Sequence, residues 1–342
     1  MEYTNLNSLF EDCKQINSKQ NYWMVRTMGG KYYQDFLKNN YIAIGYNEIS
    51  LDFITGLPTD ESIAKRELQA KLSSVYPTLK NLGSPTGQLL HFVRKIKKGD
   101  IVIIPSEKSA HAAIGIIDGG NYEERETKSD FDTSCRFYKR RKVKWITAYR
   151  KSRLSPSFQL MFNYRSALCN VTNYAQYIDS VTNDFYIKNE MAHLVLKIKT
   201  RKEVDLQDFC DLASLKILIQ NFASTYGGCS ETFDINMKVQ MESPGWLRLS
   251  SKNIFSLAFI GLLIFALNGG GIEYKNEKTG ANFKMFSDGL FKSFADYIQK
   301  EADTELVKSA TRAIDTLKID DPKDLQPVIE LMKVKNEGRI KY

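Results

Sequence analysis

One stretch, KKGDIVIIPSEKSAHAAIGIIDGG at 97–120, constrains the fold more than any other part of the chain. Two short runs of β-branched and small apolar residues, DIVIIPS and AAIGIIDGG, flank the polar loop EKSAH. Runs this short and this rich in Ile and Val read as buried strands. Lys98-Gly99-Asp100 supplies the turn into the first. Gly115, inside the second, predicts close approach of another backbone or of a ligand.

The flanks carry the same grammar. YWMVRTM (22–28) alternates and is broken by Gly29-Gly30, KYYQDFLKN reads as a short helix, and YIAIGYNEI as the next strand. Residues 60–80 have helical spacing, with Asp60 as N-cap, and the basic strand RFYKRRKVKWI follows an acidic loop at 121–132. Short strands interrupted by small helices predict a small β-barrel with α insertions. After Tyr149, RKSRLSPSF reads as a linker, and a second αβ region opens near residue 189. The division is therefore a lead-in over 1–19, a first domain over 20–150, a connection over 151–188 and a second domain over 189–342. An apolar fraction of 43% in 342 residues is ample for two cores.

Five cysteines, odd in number and scattered without a CxxC pair, and three dispersed histidines exclude a disulfide framework and a Cys/His zinc site, so no metal or other cofactor is expected. Unpaired cysteines and a polar start without a signal-peptide core point to the cytoplasm. The net charge of +8 favours a polyanionic partner.

The ordered segments NYWMVRT, VRKIKKGDIVIIPSEKSAHAAIGIID and RRKVKWI together resemble an EVE/PUA-like domain, related to the YTH group, over about 20–147. GGKYYQDFLKNNYIAIGY resembles the variant of that module fused to restriction-type nucleases. The resemblance implies a barrel that holds a base, often a modified one, and a place in a prokaryotic anti-phage or restriction system. It makes Trp23, Tyr46 and Trp145 candidate stacking faces and Ser106 a candidate for the base edge. His91 stands where that family often has Asn, and Arg26 follows the Tyr-Trp strand as a further candidate ligand residue. Large aromatics at such positions also serve as plain core.

The charge has a focus. Between 136 and 153, Arg136, Lys139, Arg140, Arg141, Lys142, Lys144, Arg150, Lys151 and Arg153 occur with no acid and with interleaved aromatics. The first six are the candidate phosphate contacts; a positively charged strand edge is the competing reading. A second feature is the uncharged run 253–272, whose strongly apolar part is 254–267. That length suits a buried or oligomer-forming helix, while membrane insertion would make the chain a membrane-disrupting effector. Asp234, Asn236 and Lys238 resemble a degenerate restriction-nuclease pattern with Asn at the Glu position. No P-loop, GxGxxG, HExxH or GxSxG occurs, so no catalytic residues are assigned. The expectation is an α+β protein: an EVE/PUA-like β-barrel with inserted helices that recognises a nucleic acid, modified base or nucleotide, then an αβ effector or homo-oligomerisation domain with a very apolar helix.

Overall fold

The computed structural model describes residues 13–124, 134–200, 202–226, 234–240, 245–268 and 296–325. They form two compact units, one over 19–182 and one combining 1–18 with 183–342.

In the first unit the order is β1 (Tyr22–Val25), α1 (Tyr33–Lys38), β2 (Tyr41–Ile44), α2 (Leu51–Gly56), α3 (Glu61–Val75), α4 (Gly83–Leu90), β3 (Ile101–Pro105), β4 (His111–Glu123), β5 (Lys139–Arg150), α5 (Pro156–Gln159), β6 (Leu168–Asn170) and α6 (Ala175–Thr182). The six strands make a curled half-barrel sheet in the order β2-β5-β4-β3-β1-β6. The sheet is open: its edge strands β2 and β6 are not paired with each other, so the expected closed barrel is not formed. The physical reason lies in its centre. β1 and β3 run parallel and are buried at every position, which is why YWMV and IVIIP are apolar without alternation. One face packs Trp23, Val25, Val102 and Ile104 against Phe36, Ile54, Leu68 and Phe92 of the helical side. The other packs Tyr22, Met24, Ile101 and Ile103 against Leu154, Phe158, Met161 and Ile178. A sheet covered on both faces is a packed layer, not a cup.

That second cover also moves the domain boundary from 150 to 182. The Ser-Pro expected in a linker starts a helix instead: Ser155 Oγ accepts a hydrogen bond from the Phe158 amide at 3.1 Å, and Pro156 opens α5. The Lys98-Gly99-Asp100 turn is present, with Gly99 at φ +91°. The Asp100 carboxylate anchors it, accepting from Trp23 Nε1 (2.9 Å), the Lys97 amide (2.9 Å) and the Asn21 amide (3.1 Å). Gly115 does mark a close approach, but to its own sheet. A Cβ there would sit 2.5 Å from Val143 Cγ1 and 2.7 Å from Trp145 Cε3.

The second unit contains β7 (Phe185–Lys188), β8 (Met191–Ile198), α7 (Leu206–Tyr226), β9 (Asn236–Gln240), β10 (Gly245–Ser251), α8 (Ile254–Leu267) and α9 (Thr304–Leu317), with its sheet ordered β7-β8-β10-β9. The lead-in belongs here, since the Ile16 amide donates to the Ile187 carbonyl at 2.8 Å. Helix α8 spans 14 residues, roughly 21 Å at 1.5 Å per residue, short of a bilayer core of about 30 Å. Its Leu257, Phe259, Ile260, Leu263 and Ile264 are buried in the core that also holds Leu194 and Phe222. Among the described residues no helix is long and apolar enough to cross a membrane, and 269–272 of the apolar run lie outside them.

Candidate nucleic-acid interface

The candidate ligand residues differ in burial and in hydrogen-bond partners. Trp23 is 3% exposed, its indole N–H is held by Asp100, and its ring lies 5.7 Å from that of His91. Trp145 donates its indole N–H to the Phe36 carbonyl at 3.1 Å and packs on the helical side of the sheet. Trp23 is thus part of the core, while Trp145 is half-buried. Tyr46 is half-buried in a left-handed conformation (φ +60°), edge-on to Tyr76, and burial raises its hydroxyl pKa. Burial lowers the His91 pKa. Ser106 Oγ accepts from the His111 amide at 2.8 Å and so shapes its own loop. Arg26 donates from Nε to the Tyr164 carbonyl at 3.1 Å and from Nη2 to the Phe162 and Tyr164 carbonyls.

The six candidate phosphate contacts divide in two. Lys139, Arg140 and Arg141 are internal, at 0%, 6% and 4% exposure, and act as donors to the chain itself. Lys139 Nζ donates to the Tyr46 and Ile49 carbonyls at 2.8 and 2.9 Å, and burial brings its pKa down to about 8. Arg140 pairs with Glu124 at 2.8 Å and lies 4.4 Å over the Tyr41 ring. Arg141 donates to the carbonyls of Phe92 (2.8 Å), Val93 (3.1 Å) and Gly119 (3.2 Å), and burial lowers its pKa to about 10. These three correct the expectation of phosphate contact, because an internal cation saturated by carbonyls cannot meet a ligand without breaking the fold. Arg136, Lys142 and Lys144 are exposed.

A further concentration of exposed positive charge lies where β1 and β3 end side by side and β4 begins. Four segments meet there: 26–32, 106–111, 150–153 and 164–167. Thr27 Oγ1 donates to the Pro105 carbonyl at 2.6 Å, and Gly30 (φ +104°) lies so close to Glu107 that a Cβ would fall 2.3 Å from its nitrogen. The Lys151 amide donates to the Ala110 carbonyl at 2.9 Å, and His111 pairs with Arg150 across β4 and β5. The Arg26 amide donates to the Ala167 carbonyl at 2.8 Å, which brings Tyr164 and Arg165 alongside. These segments carry Arg26, Lys31, Lys108, Arg150, Lys151, Arg153 and Arg165 against the single acid Glu107. Lys31, Lys108, Arg150, Arg153 and Arg165 are exposed. None of the five makes an ion pair among the described residues. Tyr164, 41% exposed, stands among them.

Arg150, Lys151 and Arg153 lie within the basic run read from the sequence. Lys31, Lys108, Tyr164 and Arg165 escape such a reading, because isolated residues far apart in the chain leave no local pattern. The Asp234, Asn236 and Lys238 set lies in and just before the edge strand β9, where Asn236 and Lys238 are exposed. Among the described residues no group of three or more His, Cys, Asp or Glu is placed to hold a metal.

A family model described as a domain of unknown function (DUF8426) matches residues 23–168, less than half of the chain. The matched span falls inside the first unit and takes in all four segments of the basic rim, running from Trp23 to the first residue of β6. No curated protein matches the chain.

Proposed function

We propose that the first unit binds nucleic acid through this basic rim, as the recognition part of a chain whose second unit serves as an effector or oligomerisation module. One observation carries the reading: four separate segments that meet at one end of the sheet bring five exposed cations, with Arg26 and Lys151 beside them, against a single acid. Such a cluster attracts a polyanion and gains from the release of its counterions. The resemblance to EVE/PUA-like domains supports nucleic acid over other polyanions, and the anti-phage setting is part of that same proposal. The buried indole of Trp23 and the Trp145 indole N–H held by the Phe36 carbonyl favour contact on the rim over a base stacked between those two rings.

Binding of a labelled 20-mer to the full chain, followed by fluorescence anisotropy, tests this. Affinity is expected to fall by at least about tenfold between about 50 and about 200 mM salt. Arg150→Glu with Arg153→Glu should weaken binding strongly. Lys142→Glu with Lys144→Glu should do less, because Lys142 lies roughly 26 Å along β5 from Arg150. Salt-insensitive binding, or equal losses in the two double variants, would count against the rim.

A further inference from the structure

Charge alone does not distinguish a duplex from a single strand, since both present phosphates. The aromatic content of the rim does. Tyr164 is the outer end of a line of rings that begins in the core. Phe158, 1% exposed, stacks on Tyr177 with centroids 6.4 Å apart and planes 15° from parallel. Tyr177 lies 6.4 Å from Tyr174, and Tyr174 meets Tyr164 edge-to-face at 6.3 Å and 88°. The backbone beneath Tyr164 is held as firmly, with Arg26 donating to its carbonyl from both Nε and Nη2. The Phe162 carbonyl accepts from the same guanidinium, and Lys151 Nζ sits 6.0 Å from the Phe162 ring centroid.

A ring placed this way is a pre-ordered surface, so a partner gains its contact without the cost of fixing a loose side chain. In a duplex the base faces are already stacked on one another. In a single strand they are free, and aromatic side chains beside a cationic track are what such strands bind. We infer that the rim takes a single strand of nucleic acid, with one base stacked on Tyr164 and the flanking phosphates met by Arg153, Arg165 and Lys108. The inference rests on the rim reading above and goes beyond it by naming the class of nucleic acid and the residue that selects it.

The test uses the full chain with fluorescein-labelled dT20 and a labelled 20-base-pair duplex. The protein is expected to bind dT20 more tightly than the duplex. Tyr164→Ala should weaken dT20 binding by at least about fivefold and leave the duplex nearly unchanged. Tyr164→Leu, which keeps apolar bulk without a ring, should behave like the alanine variant, and Tyr164→Phe like the wild type. Tyr164→Ala and Tyr164→Leu give up the edge-to-face contact with Tyr174, so retained duplex binding by each variant is the check that the rim is still folded. If Tyr164→Ala binds dT20 as the wild type does, or loses equally on both probes, stacking on Tyr164 is wrong while the rim stands. If Arg153→Glu with Arg165→Glu leaves both probes bound as before, or the wild type binds neither, the rim and the inference fall together.

Discussion

Arg141 and Arg153 are chemically alike and twelve positions apart, yet one is a strut and the other is offered to solvent. The difference is what surrounds each guanidinium. Three backbone carbonyls converge on Arg141, whereas Arg153 is exposed. Arg141→Ala should therefore cost roughly 2–4 kcal/mol of stability, because buried acceptors lose their donor. Urea unfolding of the purified variant would show it as a lower midpoint with an unchanged slope. A variant as stable as the wild type would mean that these carbonyls find other donors. The basic run at 136–153 was legible as a concentration of charge, and its partition into internal and external cations was not. Alternation along β5 is no guide, since an irregularity in register between Ile114 and Gly115 puts Trp145 on the helical side and Tyr149 on the opposite one.

At the scale of elements, hydrophobic pattern identified β1, β2, β3 and β4 because each depends on a local period or a short apolar run. Helix α8 shows where that evidence stops. Its apolar length alone leaves core and membrane open, and its neighbours settle the described part. Gly261 packs against Leu325 and Pro322, where a Cβ would lie 2.3 Å from Leu325 Cδ1. Phe259 stacks on Phe222 of α7 at 5.8 Å. Leu263→Arg, at a residue 1% exposed, should thus destabilise the second unit by more than about 4 kcal/mol. Circular dichroism and limited proteolysis would report loss of that fold. A folded variant that merely changes its partition into lipid vesicles would contradict the core assignment.

Across the whole molecule, each unit contains one histidine with its pKa depressed chiefly by burial: His91 in the first, and His193 in the second, where it falls to about 4. His193 stacks on Tyr186 at 4.7 Å, and the charges of Arg248 and Lys188 lower its pKa further. The neutral imidazole is the form that the fold favours, so the unfolded chain takes up the extra proton. Stability from these sites is present above the ordinary value of 6.5 and declines as pH falls from there, toward about 4 for His193. Melting temperatures should drop between pH 7 and 5, and His193→Gln should flatten the part belonging to the second unit. An identical slope in the variant would remove His193 as the cause.

What the residues determined by themselves is the material that local physics can specify: apolar strands, the Gly99 turn, the Asp60 cap, an excess of positive charge and the absence of familiar catalytic motifs. Tertiary structure decided the rest. It joined 151–182 to the first sheet, left that sheet open, turned Trp23 inward, and drew Arg26, Lys108, Arg150 and Arg165 to one rim. Those outcomes depend on contacts between distant segments, and a one-dimensional pattern records which residues are apolar or charged but not which of them meet.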